Sequence, residues 1–310
     1  MKDKKIWDVA IVGSGPSGLT AAVYTTRGAV TTIIFAGEVW GGQLMLTTKV
    51  DNWPGSPGVQ GPELMNKMRE HAISFGAEFV RQSAQKVDFS KKPFKITSNN
   101  NVYLARSVIV ATGAETRWLE VPGEKELIGR GVSSCAPCDA PFYKGKSVAV
   151  IGGGDSAMEE ALVLIKYASK VTIVHRRDKF RASAIMQEKV FDLQKKGMVE
   201  VIWNSEVVGF VGEDKLKELK VKNIKTNKIA TIAFDGAFVA IGHTPSTDIF
   251  KGKLELDEKG YVKIYENSKT NILGVFVSGD VHDYHYKQAI TAAGYGCQAA
   301  MEALAYLDAQ

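Results

Sequence analysis

Cys135 and Cys138 lie two residues apart in Ser133-Ser134-Cys135-Ala136-Pro137-Cys138-Asp139. A pair at this spacing can close a small disulfide ring and reopen as a dithiol, storing two electrons. The chemistry to expect of it is thiol–disulfide exchange, and the rest of the chain must bring electrons to the pair. Zinc is the rival use. A structural zinc site takes four ligands, however, and neither a second Cys-x-x-Cys nor a spaced histidine pair accompanies this one, so no metal is expected.

Two glycine-rich turns flank the pair. The first follows an apolar strand, Trp7–Val12, and runs Gly13-Ser14-Gly15-Pro16-Ser17-Gly18 into a helix-like stretch from Leu19. Gly13 permits the tight turn, Gly15 lets the backbone approach a pyrophosphate, and Gly18 lets helix and strand pack closely, leaving the anion at the positive helix end. The second follows Ser147–Ile151 and runs Gly152-Gly153-Gly154-Asp155-Ser156-Ala157 into a helix from Met158. One such pattern is a weak signal, but two in the right strand-turn-helix context imply two bound dinucleotides.

The next strand of each repeat distinguishes the ligands. After Thr31–Phe35 an acidic residue is expected to hold an adenosine ribose; Ala36 occupies the first place, and Glu38 either takes the role or is solvated. Lys170–Val174 ends instead in His175-Arg176-Arg177-Asp178-Lys179-Phe180-Arg181, where clustered arginines offer forked donors to a phosphate dianion and favour NADPH over NADH.

The remaining segments build around these turns. A loop with Gly41-Gly42-Gln43-Leu44 and Asp51-Asn52-Trp53-Pro54-Gly55 is expected to cover a ligand, ahead of a helix from Gly61 to Phe75. Glu78–Phe89, Phe94–Ser98 and Asn101–Arg106 suggest a small antiparallel insertion. Ser107–Ala114 reads as a buried strand ending in small residues, Ala111-Thr112-Gly113 among them, whose C-terminal end abuts a ligand, and Glu115–Gly131 reads as a connector. Glu200–Asn204, Glu206–Val211, Glu218–Asn223 and Ile229–Phe234 repeat a β insertion before the closing strand Gly236–Gly242, so the two halves share one layout. Gly274–Ser278 ends in Gly279-Asp280, whose carboxylate could bind a polyol. A C-terminal helix from about Lys287 to Leu307 carries Cys297 as a small core residue.

Composition narrows the class. The chain has 310 residues, 45% of them hydrophobic, enough for about two domains with buried cores. Its net charge of +5 is scattered, so nucleic acid is not an expected partner. Ala289–Leu307 is too polar for a membrane span, and Met1–Asp8 lacks the apolar core of a signal peptide. Three cysteines do not make a secreted disulfide framework, so a reducing, cytoplasmic location is expected.

Taken together, Gly-Ser-Gly-Pro-Ser-Gly at 13–18, Gly-Gly-Gln-Leu at 41–44, Asn-Trp-Pro-Gly at 52–55, Ala-Thr-Gly at 111–113, Cys-x-x-Cys-Asp at 135–139, Gly-Gly-Gly-Asp-Ser-Ala at 152–157, His-Arg-Arg-Asp-x-Phe-Arg at 175–181 and Gly-Asp at 279–280 carry a resemblance. The chain resembles the low-molecular-weight, NADPH-dependent, FAD-containing thioredoxin reductases of bacterial type. The resemblance implies an α/β fold of two Rossmann-like three-layer nucleotide-binding domains, the second inserted into the first. Residues 1–116 and 246–310 would bind FAD, and 117–245 would bind NADPH and carry the cysteines.

It further implies FAD contacts at Ser14, Gly15, Pro16, Gln43, Asn52, Asp280 and Lys287-Gln288-Ala289. NADPH contacts are implied at Asp155, Ser156, His175, Arg176, Arg177 and Arg181, the arginines near the 2′-phosphate. The implied reaction is hydride transfer from NADPH to FAD, then to the Cys135–Cys138 disulfide, then exchange with thioredoxin or a thioredoxin-like protein. Cys138 would face the flavin and Cys135 would attack the partner. Asp139 would be the acid-base group, because disulfide cleavage leaves a thiolate that needs a proton.

A homodimer is implied, as is a rotating inserted domain with hinges near Ala114–Trp118 and His243–Thr247. Pro137 between the cysteines and Ala140 after Cys-Asp depart from the family's usual residues. Two rival readings are a flavin-dependent dithiol oxidase, against which the arginine cluster counts, and a non-catalytic nucleotide sensor, against which the placement of Asp139 counts.

Overall fold

The computed structural model describes residues 5–47 and 49–310. Met1–Lys4, part of the stretch without a signal peptide's apolar core, lie outside the described residues, as does Thr48 in the glycine-rich loop.

Short apolar runs alternate with glycine turns, and the elements follow that rhythm. Strand β1 (Ile6–Val12) leads into helix α1 (Pro16–Arg27), where Pro16 suits the first turn because its φ is already helical and no N–H is needed there. Next come β2 (Thr32–Phe35), a ribbon of β3 (Lys49–Val50) and β4 (Val59–Gln60), and α2 (Gly61–Ser74). β5 (Glu78–Val80), β6 (Lys86–Asp88), β7 (Phe94–Ser98) and β8 (Asn101–Val110) complete the first segment.

The middle of the chain holds β9 (Ala114–Thr116), α3 (Glu124–Leu127), β10 (Val132–Ser133), the short α4 (Ala136–Asp139), β11 (Ser147–Ile151), α5 (Asp155–Leu164), β12 (Lys170–Val174) and α6 (Ala184–Lys195). β13 (Val199–Ile202), β14 (Ser205–Gly212), β15 (Leu216–Asn223), β16 (Ile229–Ala233) and β17 (Gly236–Val239) follow. β18 (His243–Pro245), β19 (Val275–Val277) and α7 (Ala289–Asp308) close the chain.

These elements form two compact units, one running to Glu115 and resuming at Thr244–Gln310, the other comprising Thr116–His243. Both chain crossings lie in a two-stranded ribbon of β9 and β18. In the first unit the strands run β5-β2-β1-β8-β7-β6, with β19 also on β8. Val12 lies opposite Val110 and Val110 opposite Val277, so the C-terminal ends of β1, β8 and β19 stand side by side. Val9, Ile11 and Ile109 pack with Leu19, Met65 and Ala303 of the helices on one face. Val108, Val110 and Val277 pack with Phe89, Phe94 and Phe250 on the other. Each fully buried aliphatic side chain here contributes about 1.5–3 kcal/mol.

The second unit repeats the plan with a parallel sheet, β10-β17-β11-β12-β13. Met158, Leu164 and Val190 of α5 and α6 cover one face, while the antiparallel sheet β14-β15-β16 covers the other through Val207, Leu219 and Val221. Each unit is therefore a three-layer, Rossmann-like α/β fold, the second inserted into the first.

Five expectations differ from the structure. Glu78–Val80 is a parallel edge strand beside β2, as the crossover through α2 requires, and only β6, β7 and β8 are antiparallel. Asn101–Val110 is one strand, because its polar outer half pairs with β7 while its apolar inner half enters the core. Val199–Ile202 joins the parallel sheet instead of the β insertion. Residues 115–131 are more than a connector: Leu127 is 1% exposed, and the buried Glu124 carboxylate accepts from the Leu119 and Glu120 amides at 3.0 and 2.6 Å. Cys297 is half-buried and not a core residue, its thiol facing the Tyr24 hydroxyl of α1.

Candidate functional site

Cys135 and Cys138 are joined as a disulfide with their Cα atoms 5.3 Å apart, at the start of α4 in the second unit. Both are half-buried, and Pro137 between them is exposed. The backbone donors of the turn are all engaged. Cys135 N donates to Ser133 Oγ at 3.1 Å and Ala136 N to Glu160 Oε2 at 2.5 Å. Cys138 N and Asp139 N both donate to the Cys135 carbonyl, at 3.2 and 3.1 Å. Asp139 sits beside the disulfide, where burial holds its carboxyl above the ordinary value while a hydrogen bond from Ser133 works against that shift. Ser133 thus joins the Cys135 amide to the Asp139 carboxylate. Burial pushes the Tyr143 hydroxyl, one turn further on, up to about 12, with Asp139 and Asp235 adding to the shift.

The first unit gathers its expected residues at the side-by-side ends of β1, β8 and β19. Gly13 has φ +117°, and a side chain there would run into the Ala111 carbonyl; the two strands can approach only because the residue is glycine. At Gly15 and Gly113, by contrast, a Cβ would meet nothing within 4 Å, leaving open space above the strand ends. Ser14 is buried, and its hydroxyl donates to the Ala36 carbonyl at 2.8 Å and accepts from Gly41 N at 3.0 Å, pinning the loop after β2. Pro16 opens α1, and Gly18 backs onto the Gly13 carbonyl. Thr112 Oγ1 donates to the Ser246 carbonyl at 2.7 Å.

Asp280 follows Gly279 at the end of β19 and keeps a buried Oδ1 with no partner. Burial pushes its carboxyl up to about 7, with Asp283 adding and Lys287 opposing. Asn52 Nδ2 donates to Gln288 Oε1 at 3.2 Å, joining two residues 236 apart in sequence, and Ala289 begins α7 beside them. Gln43 lies exposed on a 3₁₀ turn, Gly42–Leu46, and Glu38 is an exposed acid three residues past β2. An open strand-end cradle and an orphaned buried carboxyl fit a dinucleotide such as FAD, whose polyol hydroxyls are donors.

The second unit presents the same construction. Ile151 lies opposite Val174 and Val239, so the loops at Gly152, His175 and Ala240 meet at one sheet edge. Gly152 backs onto the Ala240 carbonyl, and a Cβ on Gly154, the residue capping α5, would meet nothing within 4 Å. Asp155 Oδ1 accepts from Ser183 N and Ser183 Oγ, both at 2.8 Å, tying the starts of α5 and α6 together; Ser156 follows it in the first turn. Arg176, Arg177 and Arg181 are exposed, and among the described residues none of them is in an ion pair. Three such guanidinium groups near an open helix start fit the phosphates of NADPH.

His175 is a different kind of residue. It is 5% exposed, its Nε2 donates to the Lys179 carbonyl at 3.1 Å, and its ring packs against Phe180 and Trp203 beneath Gly153. Burial holds its imidazole below the ordinary value, and the neighbouring arginines lower it further despite the Lys179 hydrogen bond. It shapes the loop from within.

Sequence reasoning missed three groups. Ser133 and Glu160 bracket the cysteine turn, and Ser17 shares a 2.5 Å hydrogen bond with Ser278, linking the first glycine turn to the end of β19. Glu160 lies five residues into α5, and its place one helical turn beyond the glycine motif was the available signal. Among the described residues no helix is long and apolar enough to cross a membrane, and no cluster of three or more metal-binding side chains occurs.

Residues 7–296 match the profile of the family described as pyridine nucleotide-disulphide oxidoreductase. A thioredoxin reductase of Streptomyces coelicolor is 49% identical over 306 residues, covering 97% of this chain and 94% of the relative. One of Coxiella burnetii is 46% identical over 305 residues, covering 96% and 95%. The solved thioredoxin reductase from Giardia duodenalis superposes with a TM-score of 0.93 at 40% identity, covering 98% of this chain and all of that one. With likeness of this extent added to a closed Cys-x-x-Cys beside an acid of raised pKa, the chain belongs to the pyridine nucleotide-disulphide oxidoreductases and, within them, to the thioredoxin reductases.

Proposed function

We propose that this chain reduces the disulfide of a thioredoxin or thioredoxin-like protein with electrons from NADPH, with Cys135–Cys138 as the last carrier. The observation that carries the reading is the closed cysteine pair with the buried, proton-retaining Asp139 beside it. When bound, NADPH supplies a hydride and FAD relays its two electrons to a disulfide.

The chain's own residues do the rest. Gly13 and Gly18 let strand, turn and helix pack closely, Gly15 leaves room for the FAD pyrophosphate at the start of α1, and Asp280 Oδ1 accepts from a polyol hydroxyl. In the second unit Gly152 packs the turn against Ala240, Gly154 leaves room for the NADPH pyrophosphate beside Ser156 at the start of α5, and Arg176, Arg177 and Arg181 hold the 2′-phosphate. Asp139 keeps a proton on its carboxyl at pH values where an ordinary aspartate has lost it, and gives it to the sulfur released as a thiolate. In the exchange step the Cys135 thiolate attacks one sulfur of the partner's disulfide and expels the other. Cys138 then attacks Cys135 Sγ, restoring the ring and freeing the reduced partner, so two electrons leave the pair and two arrive on thioredoxin.

Because the cysteines and the arginines belong to one unit, each group in turn must reach the flavin. The β9–β18 ribbon, where the chain crosses twice, is the proposed hinge. A homodimer in the cytoplasm completes the reading. The test is NADPH oxidation in the presence of oxidised thioredoxin, with Cys135→Ser and Cys138→Ser alongside. Turnover in the native protein and none in either variant is expected; equal turnover in a variant would exclude the pair as carrier.

A further inference from the structure

The FAD site is assembled from two stretches of chain far apart in sequence. The first glycine turn and the start of α1 belong to the segment that ends at Glu115, whereas Gly279-Asp280 belongs to the segment that begins at Thr244. Ser17 and Ser278, 261 residues apart, join the two through a 2.5 Å hydrogen bond between their hydroxyls. Both are buried, at 4% and 0% exposure. Ser278 follows β19 directly, its N–H donates to the Val110 carbonyl at 2.8 Å, and the next residues are Gly279 and Asp280. Ser17 lies in the first turn of α1, between Pro16 and Gly18.

The surroundings of this bond are tightly closed. Gly279 has φ +76°, and a Cβ there would come within 2.9 Å of Ser17 Cβ and 3.1 Å of its hydroxyl. A Cβ on Gly296 of α7 would run into the Ser17 carbonyl. The start of α1, the end of β19 and the middle of α7 therefore meet at one residue. Among the described residues each of the two hydroxyls has the other as its partner.

We propose that Ser17 and Ser278 are positioning residues for FAD: their bond clasps the two segments, so that the open start of α1 and the Asp280 carboxyl stand at the spacing a bound FAD needs. The proposal rests on the reading of Asp280 as acceptor for a flavin polyol hydroxyl. Its physical basis is preorganisation, because a site already held in its bound form loses less ordering free energy when the ligand arrives. A purely structural role predicts something different. One alanine leaves the remaining hydroxyl buried without a partner, but alanine at both positions removes both polar groups and the penalty with them.

The experiment follows FAD release from the loaded protein at pH 8, as the rise in flavin fluorescence after strong dilution. Ser17→Ala, Ser278→Ala and the double serine variant are each expected to release FAD about five- to tenfold faster than the native protein, because the bond is gone in all three. Asp280→Asn should also release FAD faster, and adding Ser278→Ala to it should change the rate less than about twofold, since the carboxylate to be positioned is gone. A double serine variant that regains the native rate would overturn the proposal, as would a full five- to tenfold effect of Ser278→Ala in the Asp280→Asn background. If Ser278→Ala does not fold, Ser17→Ala, on the other side of the bond, decides by the same comparison with Asp280→Asn. Native FAD release from Asp280→Asn would overturn the polyol reading instead, and the double serine variant would then decide whether the bond positions the flavin.

Discussion

Replacing Asp280 by asparagine should make two properties change in opposite directions. Oδ1 of Asp280 is buried without a partner, and burial pushes the carboxyl up to about 7 against an ordinary 3.8. In the flavin-free protein the folded state therefore keeps a proton that the unfolded chain gives up near pH 4. Stability is complete below that pH and is lost as the pH rises to about 7, by up to about 4 kcal/mol for three pH units. Asp280→Asn removes this contribution, so the flavin-free variant should melt higher than the native protein above pH 6.

FAD affinity should move the other way. A polyol hydroxyl donating to a carboxylate contributes about 1 kcal/mol more than one donating to an amide oxygen, so FAD should bind about five- to tenfold more weakly to the variant at pH 8. The gap should close toward pH 5, where the native carboxyl is protonated. Flavin fluorescence on release and circular-dichroism melts of stripped protein between pH 4 and 8 measure both effects. Equal FAD affinity at pH 8, or a native flavin-free melt that does not fall with pH, would refute the role of Asp280.

Arg181→Ala, and more strongly the double variant with Arg176→Ala, should lower kcat/KM for NADPH by about tenfold or more per lost phosphate contact while leaving NADH unchanged; parallel losses with both nucleotides would remove the phosphate role. Asp139→Asn should slow turnover by about a hundredfold, and the fall in rate with rising pH that deprotonation of Asp139 gives the pH–rate profile should vanish. A profile of unchanged shape would assign proton transfer elsewhere. Ser278→Ala breaks the link to Ser17 and should cost about 1 kcal/mol, seen as a melting temperature lower by a few degrees, with NADPH kinetics intact. Gly13→Ala should prevent stable FAD incorporation, because the added methyl group meets the Ala111 carbonyl; normal flavin content would show that the strands can separate.

What could be read from the chain follows from the range of each interaction. Gly13, Gly15 and Gly18 announce their role locally, since strand, turn and helix are adjacent in sequence. The arginines at 176, 177 and 181 are likewise marked by their place at a strand end. Val12, Val110 and Val277 are legible as buried strands, but that they lie in register depends on pairing across 98 and 167 residues, which no local pattern encodes. The same distance hides Ser17–Ser278 and Asn52–Gln288. His175 shows the opposite limit: its neighbours are phosphate-type arginines, yet its ring turns inward onto Phe180 and Trp203, aromatic partners that the local charge pattern does not reveal. Glu160 passes for an ordinary helical acid until α5 is laid against the cysteine turn.

The central claim is that electrons run from NADPH through the flavin to Cys135–Cys138 and out to thioredoxin. An anaerobic titration with NADPH, followed by flavin absorbance and then by addition of oxidised thioredoxin, tests it most directly. Bleaching by NADPH and much less by NADH is expected, with recovery on adding thioredoxin in the native protein and none in Cys138→Ser. Bleaching that thioredoxin cannot reverse in the native protein, or recovery in the variant, would contradict the account.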